Sequence, residues 1–368
     1  MLTTLTMVQL LCNAAEVNYR LLGRSGLRVS DLALGTMLFG ATTDWGVDAA
    51  TAAELYAVYR DAGGNYLDTA NQYAGGESER ILGGLVGGHR DEVVIASKYT
   101  NSAPNGRDPN AAGNQRKNMV QSVEGSLRRL GTDRLDVLVV HAWDLLTPVE
   151  EVMRGLDDLV RAGKVLYVAV SNTPAWVVAR SVTMAELRGW TAYVGVQIEY
   201  SLLARTAEAE FLPLCTELGL SVLAWSPLKN GLLTGKYAGA DSSATAGRLG
   251  TRTWTSPAMA WADPLGGPGA GPVLAALASV AGELGVPPAQ VALAWLRHRP
   301  VHVVPVVGAT RADQLRTNLA SAGVALTAEQ VAGLDAASAV PQAYPHPYLD
   351  SPMARSFRSA GLGERISL

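Results

Sequence analysis

The feature that most constrains this chain is a rhythm that begins after Tyr19. A short apolar run rich in β-branched residues is followed by an amphipathic stretch, and the pair repeats to about residue 320. The runs are LALGT (32–36), NYLDTA (65–70), EVVIASK (92–98), DVLVVH (136–141), VLYVAVS (165–171), YVGVQIEY (193–200), SVLAWSP (221–227) and VHVVPVVG (301–308). Helices are expected over 50–62, from Ser78, over 115–130 and 148–162, from Pro174, over 207–218, around 273–298 and over 312–320. Unbroken apolar runs read as strands buried on both faces, the mark of a parallel sheet. About eight such units in succession fit a closed (β/α)8 TIM barrel, an α/β fold, better than a doubly wound sheet. TAEQ from Thr327 has the form of a capping box ahead of one more helix, and VPQAYPHPYLDSP beyond it reads as irregular. Two Gly/Ala/Pro-rich segments, 101–114 and 238–271, are expected as long loops at the C-terminal mouth. The expected organisation is an N-terminal arm over 1–16 and a single barrel over 17–368, C-terminal helix and tail included. A split into two domains near 238–271 is the alternative, and the alternation on both sides of that segment argues against it.

Composition narrows the class of partner. Of 368 residues 48% are hydrophobic, enough to bury a large core. Thirty Lys and Arg against 33 Asp and Glu leave a net charge of −3 with no basic run, which argues against nucleic acid or an acidic membrane surface. Cys12 and Cys215 lie far apart and form no CxxC, so neither a disulfide scaffold nor a zinc ribbon is expected, and no metal site. The first positive charge is Arg20, so residues 1–16 lack the basic start of a secretory leader. With no apolar run of membrane-helix length, the expectation is a soluble, cytoplasmic protein, a monomer or weak oligomer acting on a small molecule.

In a barrel of this kind chemistry collects where strands end. Asp68 and Thr69 close the second run, with Tyr73 shortly after. Ser97 and Lys98 close the third, and His141 the fourth, followed by Trp143. Ser171 and Asn172, Gln197 and Tyr200, and Trp225 and Ser226 close the next three. Asp, Tyr, Lys and His at one mouth belong together chemically. An ammonium beside a phenol favours phenolate, a carboxylate holds the ammonium, and the phenol can then hand a proton to a carbonyl oxygen that a neutral His orients. Taken singly, Asp68 could cap a helix, Lys98 could snorkel, Tyr73 could pack a loop and His141 could be a satisfied core histidine. Four such coincidences at successive strand ends are harder to accept than one site for reducing an aldehyde or ketone.

Such chemistry needs a hydride donor, yet no GxGxxG follows the first strand, and GPGAG (267–271) follows no strand at all. A nicotinamide cofactor would have to be held by SPLKNGLLTGKY (226–237) and GATRADQLRTN (308–318). In the second, Arg311 at a helix start could clamp a 2′-phosphate and favour NADPH, or could simply be a solvated arginine.

From about Tyr19 to Asn318 the chain resembles the aldo-keto reductase family. The likeness is carried by LGRSGLRVSDLALGTMLFG, GGNYLDTANQYAGGESERILG, IASKY, SLRRLGTDRLDVLVVH, GKVLYVAVSN, VQIEYSLL, AWSPLKNGLLTGKY and PVVGATRADQLRTN. The resemblance implies a barrel that binds NADPH without a Rossmann domain. It implies Tyr73 as proton donor, Lys98 and Asp68 as its pKa-lowering pair, and His141 as the carbonyl-orienting histidine. It places Ser171, Asn172 and Gln197 on the nicotinamide carboxamide, Tyr200 stacked on the ring, and Gly35, Thr36 and Met37 along the same site. Trp225, Ser226, Pro227, Leu228, Lys236 and Arg248 match the pyrophosphate strap. Gly308, Thr310, Arg311, Gln314 and Asn318 match the adenosine-phosphate end, with Gln314 standing where many relatives carry Arg. RKNMVQSVEGSLRRLGTDRLDVLVVHAWD and NTPAWVVA look most like the aryl-alcohol dehydrogenase branch, which implies an aromatic or bulky apolar carbonyl. Trp45, Trp143, Trp254 and Trp261, on or near the mouth loops, would suit such a substrate. Potassium-channel β subunits share the likeness as NADPH-binding partner proteins but carry Asn where this chain has His141. A keto-sugar or a ketone of secondary metabolism is the other substrate class left open.

Overall fold

A computed structural model describes residues 16–42, 45–102, 107–236 and 270–366. In chain order its strands are β1 (Tyr19–Leu21), β2 (Arg28–Ser30), β3 (Ala33–Gly35), β4 (Tyr66–Asp68), β5 (Val94–Tyr99), β6 (Leu135–Val140), β7 (Val165–Ser171), β8 (Tyr193–Glu199), β9 (Ser221–Trp225) and β10 (Val303–Val307). The helices of the barrel are α1 (Ala49–Asp61), α2 (Glu77–Val86), α3 (Arg116–Leu130), α4 (Val149–Arg161), α5 (Ala175–Arg188), α6 (Ala207–Leu218), α7 (Ala270–Leu284), α8 (Pro288–Arg297) and α9 (Ala312–Leu319). After them come α10 (Ala328–Ala337), α11 (His346–Asp350) and α12 (Pro352–Arg358). Strands β3 to β10 pair in parallel and close on themselves, β10 beside β3, as the (β/α)8 barrel expected from the sequence.

Two apolar layers follow from the pleat. Every second strand residue points inward, so Ala33, Tyr66, Ala96, Val139, Ala169 and Leu223 share a packed barrel interior with neighbours from other strands. Their alternates, such as Leu67, Ile95, Leu138, Val170 and Val196, face the helices. The helices are built to meet them. In α4, Val149, Val152, Met153 and Leu156 recur at helical spacing and are buried. Helices α3, α5 and α6 stop at Gly131, Gly189 and Gly219, each in the left-handed conformation that glycine adopts without steric cost. The stretch around 273–298 is two helices, broken where Gly285 turns left-handed ahead of Val286 and Pro287.

The far end of the barrel is closed by a hairpin that the sequence reading did not anticipate. Strands β1 and β2 pair antiparallel and put Leu22 and Val29 into the barrel interior. Gly23 beside them has φ +56°, and a Cβ there would lie 2.1 Å from the Val194 carbonyl oxygen, so no larger residue fits. The tail also departs from expectation. The capping box at Thr327 forms, but the segment read as irregular holds the short α11. Residues 1–15 of the expected arm, most of the 238–271 loop, and Arg248, Trp254 and Trp261 lie outside the described residues. Among the described residues no single helix is long and apolar enough to cross a membrane.

Candidate active site

The inward alternation continues to the strand ends and puts the polar residues at one mouth. Asp68 lies two residues beyond the inward Tyr66, Lys98 two beyond Ala96, His141 two beyond Val139 and Ser171 two beyond Ala169. Lys98 and Asp68 are side by side, Nζ donating to Oδ2 at 2.6 Å, and both are almost wholly buried. The same ammonium donates to the Thr69 carbonyl at 2.8 Å and to the Tyr73 hydroxyl at 3.1 Å. Gln197 closes the set from the opposite wall, its Nε2 donating to Asp68 Oδ1 at 2.7 Å. His141 meets the Tyr73 ring edge-on, with ring centres 5.9 Å apart.

The electrostatics differ in one respect from the sequence expectation. Burial pushes the Tyr73 phenol above its ordinary range, and the nearby Lys98 charge offsets this only in part. For Lys98, burial works against the charge, but Asp68 and Tyr73 outweigh it and hold the ammonium above its usual value. Burial, with help from Lys98, depresses the His141 imidazole to about 3, so it is neutral at physiological pH. Because Lys98 donates to the phenol oxygen, the phenol's own proton is left for another acceptor.

The rim carries buried polar atoms without partners among the described residues. The Ser171 hydroxyl and His141 Nδ1 are buried and meet no hydrogen-bond partner among the described residues. Thr100, Asn172 and Ser226, all just past strand ends, take positive φ of 104°, 44° and 53°, strain that gathers where a scaffold serves a site. Asn172 donates to the His141 carbonyl and accepts from Trp225 Nε1 at 3.2 Å, tying the ends of β6, β7 and β9 together. A notch with unpartnered polar atoms beside a partly exposed indole fits a nicotinamide with its carboxamide.

Two residues do not stand where the resemblance implied. Tyr200 is fully buried on the outward layer, its ring against Trp295 and its hydroxyl donating to Glu208 at 2.7 Å, so it offers no face to the mouth. The aromatic available there is Trp225, which counting by twos from Leu223 would have found. Thr36 is also fully buried, its hydroxyl donating to the Asp68 carbonyl and meeting Ser78, while Met37 next to it is exposed. Gly35 is partly exposed beside it, where a Cβ would meet Val306 at 3.0 Å.

The segment that the resemblance assigns to the pyrophosphate follows β9. Ser226 bonds Asn230, Pro227 is buried, Leu228 is partly buried, and the Lys236 amine would sit 3.2 Å from a Cβ on Gly231. After β10, Gly308 is exposed, and Gln314 Oε1 accepts from the Thr310 amide and hydroxyl at 3.1 Å. Arg311 pairs bidentately with Asp313, both on the surface, and Asn318 is buried. Trp45 and Trp143 are half-buried near the mouth, the Trp143 amide donating to the Asn172 carbonyl at 3.3 Å.

The family model "Aldo/keto reductase family" matches residues 31–339. A norsolorinic acid reductase of Emericella nidulans is 37% identical over 346 residues, 91% of this chain and 85% of that protein. An aryl-alcohol dehydrogenase [NADP(+)] of Phanerodontia chrysosporium is 34% identical over 340 residues, 88% of this chain and 86% of its own. An uncharacterized oxidoreductase of Bacillus subtilis is 36% identical over 322 residues, 85% and 93% of the two chains. With a closed parallel barrel, a buried Lys–Asp pair against a phenol, and matches that span nearly its whole length, the chain belongs to the aldo/keto reductase family, oxidoreductases that reduce carbonyl compounds with NAD(P)H.

Proposed function

We propose that the protein is an NADPH-dependent reductase of aromatic or bulky apolar aldehydes and ketones, with Tyr73 as the proton donor. The observation that carries this reading is the Lys98 ammonium, 2.6 Å from Asp68 and 3.1 Å from the Tyr73 hydroxyl, at the open end of the barrel. Tyr73 presents its proton to the carbonyl oxygen. Neutral His141, edge-on to it, donates an N–H to the same oxygen and fixes its direction. Lys98, held by Asp68, stabilises the phenolate left when the proton departs. Ser171, Asn172 and Gln197 would hold the cofactor's carboxamide and Trp225 would cover its ring; the strap 226–236 would take the pyrophosphate and Gly308–Asn318 the adenosine end. The cofactor supplies the hydride when bound.

Relatives named for aryl alcohols and for norsolorinic acid support an aromatic substrate, and the latter equally support a ketone of secondary metabolism. NADPH oxidation with aromatic aldehydes, aliphatic ketones and keto-sugars in parallel tests the reading. Turnover of the aromatic set is expected, and tight NADPH binding without turnover of any carbonyl would replace it with the partner-protein alternative.

The pH dependence follows from the signs above. A phenol raised by burial stays protonated through neutrality, and an imidazole at about 3 is neutral well below it. The reductive kcat should therefore be flat from about pH 5.5 to 9 and fall only as the phenol ionises, at or above its usual range near pH 10. A stopped-flow pH series of the reductive step measures this.

Cofactor choice should turn on Arg311 and its neighbour. Asp313 occupies both arms of the guanidinium that would grip a 2′-phosphate. Arg311→Ala is expected to weaken NADPH about tenfold with NADH unchanged, whereas Asp313→Ala should tighten NADPH roughly two- to threefold. Quenching of tryptophan fluorescence on titration reads both.

A further inference from the structure

Tyr73 is carried by a turn, not by a strand; its N-terminal side is tied to β5 by the Asn71 amide on the Lys98 carbonyl at 3.2 Å, and its C-terminal side is held to the barrel by the first turn of α2. Between Tyr73 and α2 lie three consecutive residues with positive φ, Ala74 at 48°, Gly75 at 66° and Gly76 at 91°. Such a turn has no ladder to brace it, so its place depends on its ends. Two buried side chains fix the α2 end. Ser78 donates to the Thr36 carbonyl at 2.8 Å and meets the Thr36 and Thr69 hydroxyls at 2.9 and 3.0 Å. Glu79 is wholly buried, a costly place for a carboxylate unless every arm is used. It accepts from Ser97 Oγ at 2.6 Å and from Arg129 Nε at 2.6 Å. Arg129 in turn lies against the turn, since a Cβ on Gly76 would come within 2.7 Å of its Cδ.

The geometry of β5 gives this network its meaning. Ser97 faces outward and Lys98, the next residue, faces inward. Glu79 therefore grips the outer side of the peptide unit whose inner side presents the ammonium to the Tyr73 hydroxyl. We propose that Glu79 is a positioning residue for the proton donor: through Ser97 and Arg129 it sets the distance between the Tyr73 turn and Lys98 without touching substrate or cofactor. The inference rests on the reading of Tyr73 as donor.

The test compares Glu79→Ala with wild type in steady-state reduction of an aromatic aldehyde by NADPH, with NADPH affinity read separately by fluorescence. A shift of the donor by about 1 Å costs up to about 100-fold. The expected result is a kcat lowered about 10- to 100-fold, with KM for the carbonyl and Kd for NADPH within about twofold of wild type. Glu79→Gln keeps an acceptor for Ser97 and should recover most of the loss. Ser97→Ala removes only the β5 half of the grip and should show the same split at about five- to tenfold, which keeps the proposal testable where Glu79→Ala does not fold. Asp136→Asn controls for loosening of the scaffold. It weakens a comparable buried contact, to Arg90 and the Ile95 amide, at the opposite end of the barrel, and should leave kcat unchanged. A kcat within twofold of wild type in the folded Glu79 and Ser97 variants, or a loss shared equally by KM and NADPH affinity, would overturn the proposal. Tyr73→Phe run alongside separates the levels: if it keeps turnover, the donor reading fails, and if it is inactive while Glu79→Ala is intact, only the positioning role fails.

Discussion

Replacing Tyr73 by Phe should lower kcat for carbonyl reduction about 1000-fold, or about 4 kcal/mol of barrel-mouth catalysis, while NADPH binds as before. The substitution removes one oxygen. Lys98 keeps Asp68 and the Thr69 carbonyl, so no buried charge is stranded and the melting temperature should scarcely move. What disappears is the proton that the phenol keeps at neutral pH because burial outweighs the ammonium beside it. Single-turnover measurements with pre-bound NADPH isolate the chemical step. A variant that retains a tenth of wild-type rate would mean that water supplies the proton instead.

The second large effect falls on stability as well as rate. Lys98→Met should abolish turnover and destabilise the fold by about 3–5 kcal/mol, because among the described residues it leaves the buried Asp68 carboxylate with Gln197 as its one side-chain donor. Adding Asp68→Asn should restore much of the stability, since the amide carries no charge to strand, and none of the activity. Thermal or urea unfolding of the two single variants and the double variant closes the cycle. If Lys98→Met melts like wild type, water has reached Asp68 and the pair is less enclosed than its geometry indicates.

The strands and the charged residues at their ends were legible because both are local signals. Apolar runs of strand length report burial on two faces, and a charged residue at the end of such a run has one place to go, the mouth. Asp68, Lys98 and His141 could be read in this way before any distance was known. The β1–β2 hairpin could not, since YRL (19–21) and RVS (28–30) contain no continuous apolar run to mark a buried strand. Tyr200 and Trp225 were harder for a different reason. Both are aromatic and close a run, and only the inward or outward sense of each strand residue separates the one on Trp295 from the one at the mouth. Thr36 was misplaced on the same ground. Glu79 left no trace in composition or spacing, because its partners Ser97 and Arg129 lie 18 and 50 residues away.

The alternation along β5 has a consequence for how this protein can change. Ser97, Lys98 and Tyr99 are consecutive, and neighbours face opposite ways, so the site obeys a parity rule. A deletion of one residue inside the strand does not shift the ammonium slightly; it exchanges Lys98 for Ser97 or Tyr99 and turns the charge toward the helices. Every strand that contributes to the mouth imposes the same check on itself. A change of length in a loop escapes that check, because the pleat does not reach it, so the barrel acts as an error-detecting frame for the residues at its mouth and leaves the loops free to vary.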